Sequence, residues 1–303
     1  MEYVRYKVQV PGIGEPMVLR MQARSQEVAL VGCDTFMGAG LAKAMETAGR
    51  HVVPFHGTDI AAVSVPDGCN MVLFCHDVSL DAERHAMMLD ALCRRLAENR
   101  TADKAVHVCV FTPAAVCQTT NGVVREDSPT RPCGRCGVAA CHAEMLLHAW
   151  VEMTHNAILP HIFRHGELYG EPCGNETNMG HLNTALRLAR QGKPIQMRGF
   201  GLQKRSLTHI DDFSRAVAAV LAEYGLPRIV NIPGERVAIA QYMNAIAAAF
   251  NVGLEYQASK ASFDENLPSY SGDCVLSSTV FRGLVTFKPQ HKFMKWLLSM
   301  HNS

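Results

Sequence analysis

Residues 27–49 read EVALVGCDTFMGAGLAKAMETAG. The apolar run Val28-Ala29-Leu30-Val31 enters Gly32-Cys33-Asp34-Thr35-Phe36-Met37-Gly38, and a stretch with apolar residues at three-and-four spacing follows over 38–49. A glycine turn between a strand and a helix is how doubly wound sheets seat a pyrophosphate on a helix N-terminus. A pair of glycines alone is equally well explained by a tight turn with no ligand, so the rest of the chain has to decide.

Three more apolar runs follow: His51–Phe55, Met71–Phe74 and Val106–Phe111. Each is too short for a helix and lacks polar alternation, which predicts strands buried on both faces. Helical spacing over 80–98 separates them, and strand–helix alternation means a parallel sheet with right-handed crossovers. The second half continues the pattern, with strands predicted near 158–163 and 228–231 and helices over 178–191, 212–224 and 239–250. In the last, Ile239, Tyr242, Met243, Ile246, Ala247 and Phe250 form one stripe. Asp211 or Asp212 suits the N-cap of the helix before it. Residues 1–26 differ: alternating stretches at 3–10 and 17–21 flank Pro11-Gly12-Ile13-Gly14-Glu15-Pro16, a hairpin pattern.

Composition bounds the function. At 303 residues and 48% apolar the chain can bury a full core, and 29 basic against 28 acidic residues give a formal net charge of +1. No basic excess marks a nucleic-acid groove, and no apolar run is long enough for a membrane span. Eleven cysteines, several inside apolar runs, suit small core residues in a reducing compartment. The cytoplasm is the default address; a mitochondrial one stays open, although the acid at Glu2 argues against a presequence.

Further segments join the glycine turn: Arg164-His165-Gly166-Glu167-Leu168-Tyr169-Gly170 after a strand, Gly199-Phe200-Gly201 leading to Arg205, His209-Ile210-Asp211-Asp212, Asn231-Ile232-Pro233-Gly234, and Phe287-Lys288-Pro289. In this order and spacing, residues 27–298 resemble the extended short-chain dehydrogenase/reductase family, of the NAD(P)-dependent nucleotide-sugar epimerase/dehydratase type. The resemblance implies an α/β fold: a Rossmann-like doubly wound parallel sheet (27–165 and 206–231), a smaller substrate-type domain (166–205 and 232–303) and, outside it, the hairpin 1–26. It also implies hydride chemistry run by a Ser or Thr and a Tyr-x-x-x-Lys pair beside the nicotinamide, with phenol and ammonium on one helical face.

At those positions this sequence departs from the family. Pro113 falls at the hydroxyl position, with Thr112 one residue early; Cys136 stands at the tyrosine and Ala140 at the lysine; Glu144 matches a common helical Glu. In the cofactor loop (Gly32, Thr35, Phe36, Met37, Gly38), Thr35 replaces the middle glycine, its β-carbon set where a pyrophosphate would approach. His56 stands where an acidic or basic residue would read the adenosine ribose, with Asp59 too far on. On the substrate side, Glu167 puts a negative charge where a diphosphate would lie, near Tyr169. Arg205 matches one of two diphosphate-clamping arginines, and Tyr270 replaces the other. NAD or NADP binding is therefore expected to be weak or absent.

Three sharper readings stand beside simpler ones. Cys136 or Thr112 as a substitute acid/base keeps an enzyme, but no lysine follows to stabilise a thiolate, and His142 lies about 240° around the helix. Cys133, Cys136, Cys141 and His142 have ligand-rich spacing, yet 136 and 141 diverge on a helix, so no metal is expected. Arg205 serves either a phosphate or an ion pair with Asp211, Asp212 or Glu167. Met87, Met88 and Met145 read as core packing, and His209 and Asp212 as structural. The expectation is a pseudoenzyme with a structural, assembly or partner-binding role. A homodimer through helices near 80–98 and 135–152 fits it, with Trp150 and Leu146-Leu147 at the contact. The alternatives are an active nucleotide-sugar epimerase, dehydratase or reductase, and an NAD(P)-sensing regulator.

Overall fold

The computed structural model describes residues 3–8, 17–22, 26–57, 60–66, 68–76, 82–98, 100–101, 104–117, 122–132, 134–171, 180–223, 225–257 and 272–300. Strands β1 (Tyr3–Val8) and β2 (Met17–Gln22) form an antiparallel hairpin in which Tyr3 faces Gln22 and Val8 faces Met17.

The sheet that organises the molecule is six-stranded and parallel. It comprises β3 (Glu27–Val31), β4 (His51–Phe55), β5 (Met71–Phe74), β6 (Val106–Pro113), β8 (Ile158–His165) and β12 (Ile229–Asn231), in the order β12-β8-β6-β5-β3-β4. Four helices cover it: α1 (Phe36–Thr47) and α5 (Ile210–Ala222) on one face, α2 (Ala82–Ala97) and α3 (Gly134–Met153) on the other. This is a Rossmann-like doubly wound sheet. Among the described residues only one strand lies outside β3 on the β4 side, whereas the dinucleotide-binding order 3-2-1-4-5-6 carries two. Order reverses between β3 and β5, so the crevice where such folds bind ligands opens above Val31 and Phe74.

Strands β3, β5 and β6 are buried along their apolar runs, as those runs predict, with only Glu27, His107 and Pro113 half-buried. β4 is not: His51 and Pro54 are exposed. It is the sheet edge, and Pro54, which has no N–H to donate, is tolerated there.

The remaining elements build a second layer around Tyr169, Tyr242, Phe293 and Trp296. β9 (Glu167–Tyr169), β11 (Lys204–His209) and β13 (Glu235–Ala238) pair in the order β13-β11-β9, and β10 (Ile195–Arg198) pairs with β14 (Leu254–Gln257). α4 (Gly180–Arg190), α6 (Ile239–Ala249) and α8 (Phe293–Ser299) pack on them. The predicted stripe on α6 is buried as read, except that Phe250 is partly exposed. Short β7 (Val123–Val124) pairs with β15 (Val275–Leu276), and α7 (Thr279–Leu284) follows.

Two expectations change at α5 and at the methionines. The cap of α5 is His209, whose Nδ1 accepts the Asp211 N–H at 3.2 Å. Asp212 instead accepts from Arg215, from the Gln290 backbone and from the His291 backbone, partners up to 79 residues away. Met88 is buried, but Met87 and Met145 are 66% and 63% exposed and are surface rather than core. All nine described cysteines are free thiols. Among the described residues no helix is long and apolar enough to cross a membrane.

Candidate active site

The crevice is built first by the turn after β3. Gly32 has φ +81°, and a β-carbon there would press on the Cys75 backbone at 3.3 Å, so only glycine lets β3 and β5 close up at this point. A β-carbon on Gly38 would collide with the Gly32 carbonyl. Thr35 caps α1: its Oγ1 accepts from the Gly38 N–H (3.0 Å), and its one proton faces both Gly32 O (2.8 Å) and Cys75 O (3.1 Å). The hydroxyl thus fastens the loop internally and takes one of the helix N–H groups an anion would use. Phe36 and Met37 pack against the core. His56 is exposed beyond β4, with Nδ1 3.2 Å from Cys33 Sγ. Asp59 lies outside the described residues.

At the other end, β6 delivers Thr112 and Pro113, and α3 delivers Cys136 and Ala140. Thr112 is fully buried and donates to Glu144 Oε1 at 2.9 Å. Glu144 also receives Arg164 Nε (3.0 Å) and Nη2 (2.8 Å), and both ion-pair partners are at most 4% exposed. Burial pulls the Arg164 pKa down, but the hydrogen bonds and charge of Glu144 outweigh it and raise it overall. The Thr112 hydroxyl therefore serves the ion pair. Pro113 and Cys136 are half-buried. Gly137 sits so close to the turn after β6 that a β-carbon would lie 2.5 Å from Ala115 O. Ala140 is wholly enclosed, among Ala114, Val116, Cys117, Val124, Cys141 and Leu276.

On the substrate side, Tyr169 is buried against His209, Phe293 and Trp296, and burial raises its pKa. Glu167 starts β9 with its carboxylate over the first turn of α4: a β-carbon on Gly180 would be 2.5 Å from its Oε2. A helix N-terminus favours an anion, and here the protein's own carboxylate supplies one. Arg205 is buried, its Nη1 donating to Lys204 O (2.8 Å) and Gly272 O (2.9 Å). Asp212, offered above as a partner for it, is paired with Arg215. Tyr270 and Cys133 lie outside the described residues, and Cys136, Cys141 and His142 belong to no metal-like cluster among those described.

Two buried imidazoles near the crevice are held neutral. Burial, then the neighbouring His76, lowers the His85 pKa to about 3; burial, then His291, lowers that of His209 to about 4. Both lie below the unfolded value, so the unfolded chain binds more protons between pH 6.5 and those values. Stability is expected to be flat above pH 7 and to fall as the pH drops from 6.5 towards 4, read as the urea midpoint. His85 Nδ1 has no hydrogen-bond partner among the described residues, so His85→Phe should flatten part of that fall; an unchanged acid limb would refute the assignment.

The sequence pattern of the NAD dependent epimerase/dehydratase family matches residues 80–233, just over half of the chain. The chain belongs to that family. No curated protein matches it. Among solved structures it is similar to the UDP-glucuronic acid 4-epimerase of Bacillus cereus in complex with UDP-glucuronic acid and NAD (17% identity, 91% of this chain and 98% of that one, TM-score 0.73). It is also similar to MoeE5 in complex with UDP-glucuronic acid and NAD (18%, 91% and 98%, 0.70). A third is the dTDP-glucose 4,6-dehydratase of Bacillus anthracis in complex with NAD (14%, 92% and 96%, 0.67). At these identities the likeness is one of fold. Against the family's needs, Gly32 and Gly38 keep the tight turn of a phosphate loop, but the Thr35 hydroxyl already takes the Gly38 N–H, and at the other end the methyl of Ala140 is fully buried.

Proposed function

We propose that this chain has kept the epimerase/dehydratase frame and lost its chemistry, and works as a binding or assembly subunit rather than a catalyst. The observation that carries this reading is the full burial of Ala140, the residue that the family resemblance sets at the lysine position, where the chemistry needs an ammonium. The nearest hydroxyl, on Thr112, is held by Glu144, and the thiol of Cys136 has no cation one helical turn on. NAD(P) binding is weak or absent, because Thr35 occupies a helix N–H and His56 replaces the ribose reader. Glu167 opposes a nucleotide sugar's diphosphate. The domain division at 165/166, 205/206 and 231/232 belongs to the same reading.

The partner surface we assign is the outer face of α2 and α3, as a homodimer or protein contact. Leu147 and Trp150 do not form it, since both are buried within the chain, with Trp150 Nε1 donating to Asp90. The exposed apolar residues there are Met87, Val138, Met145 and Met153. A second reading, an NAD(P) sensor without turnover, is favoured by the retention of Gly32 and Gly38 in the turn.

Calorimetric titration with NAD, NADP, UDP-glucuronic acid and UDP-glucose, with turnover assays alongside, tests this. The expected result is no turnover and no dissociation constant below about 1 mM for any of the four. Micromolar dinucleotide binding without turnover selects the sensor; turnover refutes both. Glu167→Asn should tighten UDP-sugar binding on the order of tenfold, ~1.4 kcal/mol, by removing one charge near the diphosphate.

A further inference from the structure

The turn after β3 and the loop after β4 bring three unlike donors together. Cys33 Sγ, an Asp34 carboxylate oxygen and a His56 nitrogen all lie within 4.8 Å of one another, with Sγ and Nδ1 3.2 Å apart. Around a tetrahedral zinc, with bonds of about 2.0–2.3 Å, ligand atoms sit roughly 3.5 Å from each other. The three side chains therefore need little movement to close on an ion.

The frame is built independently of any ligand. Val31 is in register with Phe55, and the Gly32 and Cys33 N–H groups both donate to Phe55 O (2.9 and 3.3 Å). The Gly57 N–H donates to Asp34 Oδ1 at 3.0 Å, tying the two loops across the top; a carboxylate so engaged keeps lone pairs for a metal. Cys33 and Asp34 are half-buried and His56 exposed, which leaves the fourth position of a tetrahedron to solvent.

We propose that Cys33, Asp34 and His56 bind a zinc-class divalent cation at the mouth of the crevice. On binding, the Cys33 S–H bond breaks, its proton goes to solvent, and the sulfur pair forms the metal–thiolate bond. No electron is transferred. Without the ion the thiol stays protonated: burial, then the Asp34 charge, raises its pKa. A divalent cation between the two groups reverses that influence. The site does not depend on the non-catalytic reading, since no residue of the α3 end takes part.

Cobalt(II) titrated into the reduced full chain reports the donor set by absorbance. The expected spectrum has a thiolate-to-metal charge-transfer band in the near ultraviolet and the intense visible bands of tetrahedral cobalt, both bleached by zinc. Cys33→Ser should abolish the charge-transfer band of one equivalent, and His56→Gln should weaken that equivalent's affinity at least tenfold. Because other cysteines are present, the titration is repeated in a Cys136→Ser/Cys141→Ser background, where the band should persist. If Cys33→Ser does not fold, His56→Gln, a surface change, carries the test. A wild-type chain that takes up no cobalt, or a band that survives both Cys33→Ser and His56→Gln, overturns the proposal.

Discussion

Glu144→Ala is expected to cost about 3–5 kcal/mol, the loss typical of breaking a buried ion pair from one side. That is a large fraction of the roughly 5–15 kcal/mol that holds a domain together. The carboxylate accepts three hydrogen bonds, from Thr112 and twice from Arg164. Its removal leaves a guanidinium that is 1% exposed at the end of β8, beside a threonine hydroxyl with no acceptor. Among the described residues, the other contacts of Arg164 are long ones, 3.4 Å, to the Arg125 and Glu126 carbonyls. Those carbonyls belong to the segment that also holds β12, through Glu126 Oε1 to the Asn231 N–H (3.1 Å) and Val124 O to Asn231 Nδ2 (2.9 Å). The injury should therefore spread from α3 to the sheet edge at β12. Urea unfolding measures it. The double change Glu144→Leu/Arg164→Met should cost well under the sum of the two single losses, because both charges leave together. A single-variant loss below about 1 kcal/mol would mean that water reaches the pair.

What the sequence discloses here follows the range of the interactions. Strands β3, β5 and β6 are legible because burial on both faces demands unbroken apolar runs, and the glycine turn is legible because its backbone geometry excludes side chains. β4 reads like its neighbours until Pro54 is weighed as an edge signal. The α5 cap is misassigned to the aspartates because Asp212's partners, Gln290 and His291, lie too far along the chain for local rules to find. The same holds for the site. Glu144 and Arg164 are each visible as family-like residues, but nothing local joins them. Cys33 and His56 are 23 residues apart and meet only through the β3–β4 register. The departures expected at 113, 136 and 140 are legible one by one; that Ala140 is sealed over is not, since Val124 and Leu276 join its buried cluster from distant strands.

Ala140→Lys is expected to be the more damaging half of any attempt to rebuild the catalytic face. The helix around it is packed without slack: Ala139, Ala140 and Ala143 are all fully buried, and Gly137 already lies against Ala115 O. A lysine adds three carbons and an ammonium within a buried cluster that holds Val116, Cys117, Val124 and Leu276. Overpacking typically costs 1–3 kcal/mol, and an unpaired buried amine adds more unless it is neutralised or pushes β7 and β15 aside. A loss of about 3 kcal/mol or more, with the largest hydrogen-exchange change at 123–124 and 275–276, is the expected reading. The triple variant Pro113→Ser/Cys136→Tyr/Ala140→Lys should consequently show no turnover of UDP-glucuronic acid or UDP-glucose with NAD, while Cys136→Tyr alone, at a half-buried position, should fold. Proximity of phenol and ammonium is useless if the turn that carries them must move to admit the second. Should the triple variant fold with wild-type stability and turn over a nucleotide sugar, the face under Ala140 is an intact site lacking three side chains, and the proposed loss of chemistry rests on those residues alone.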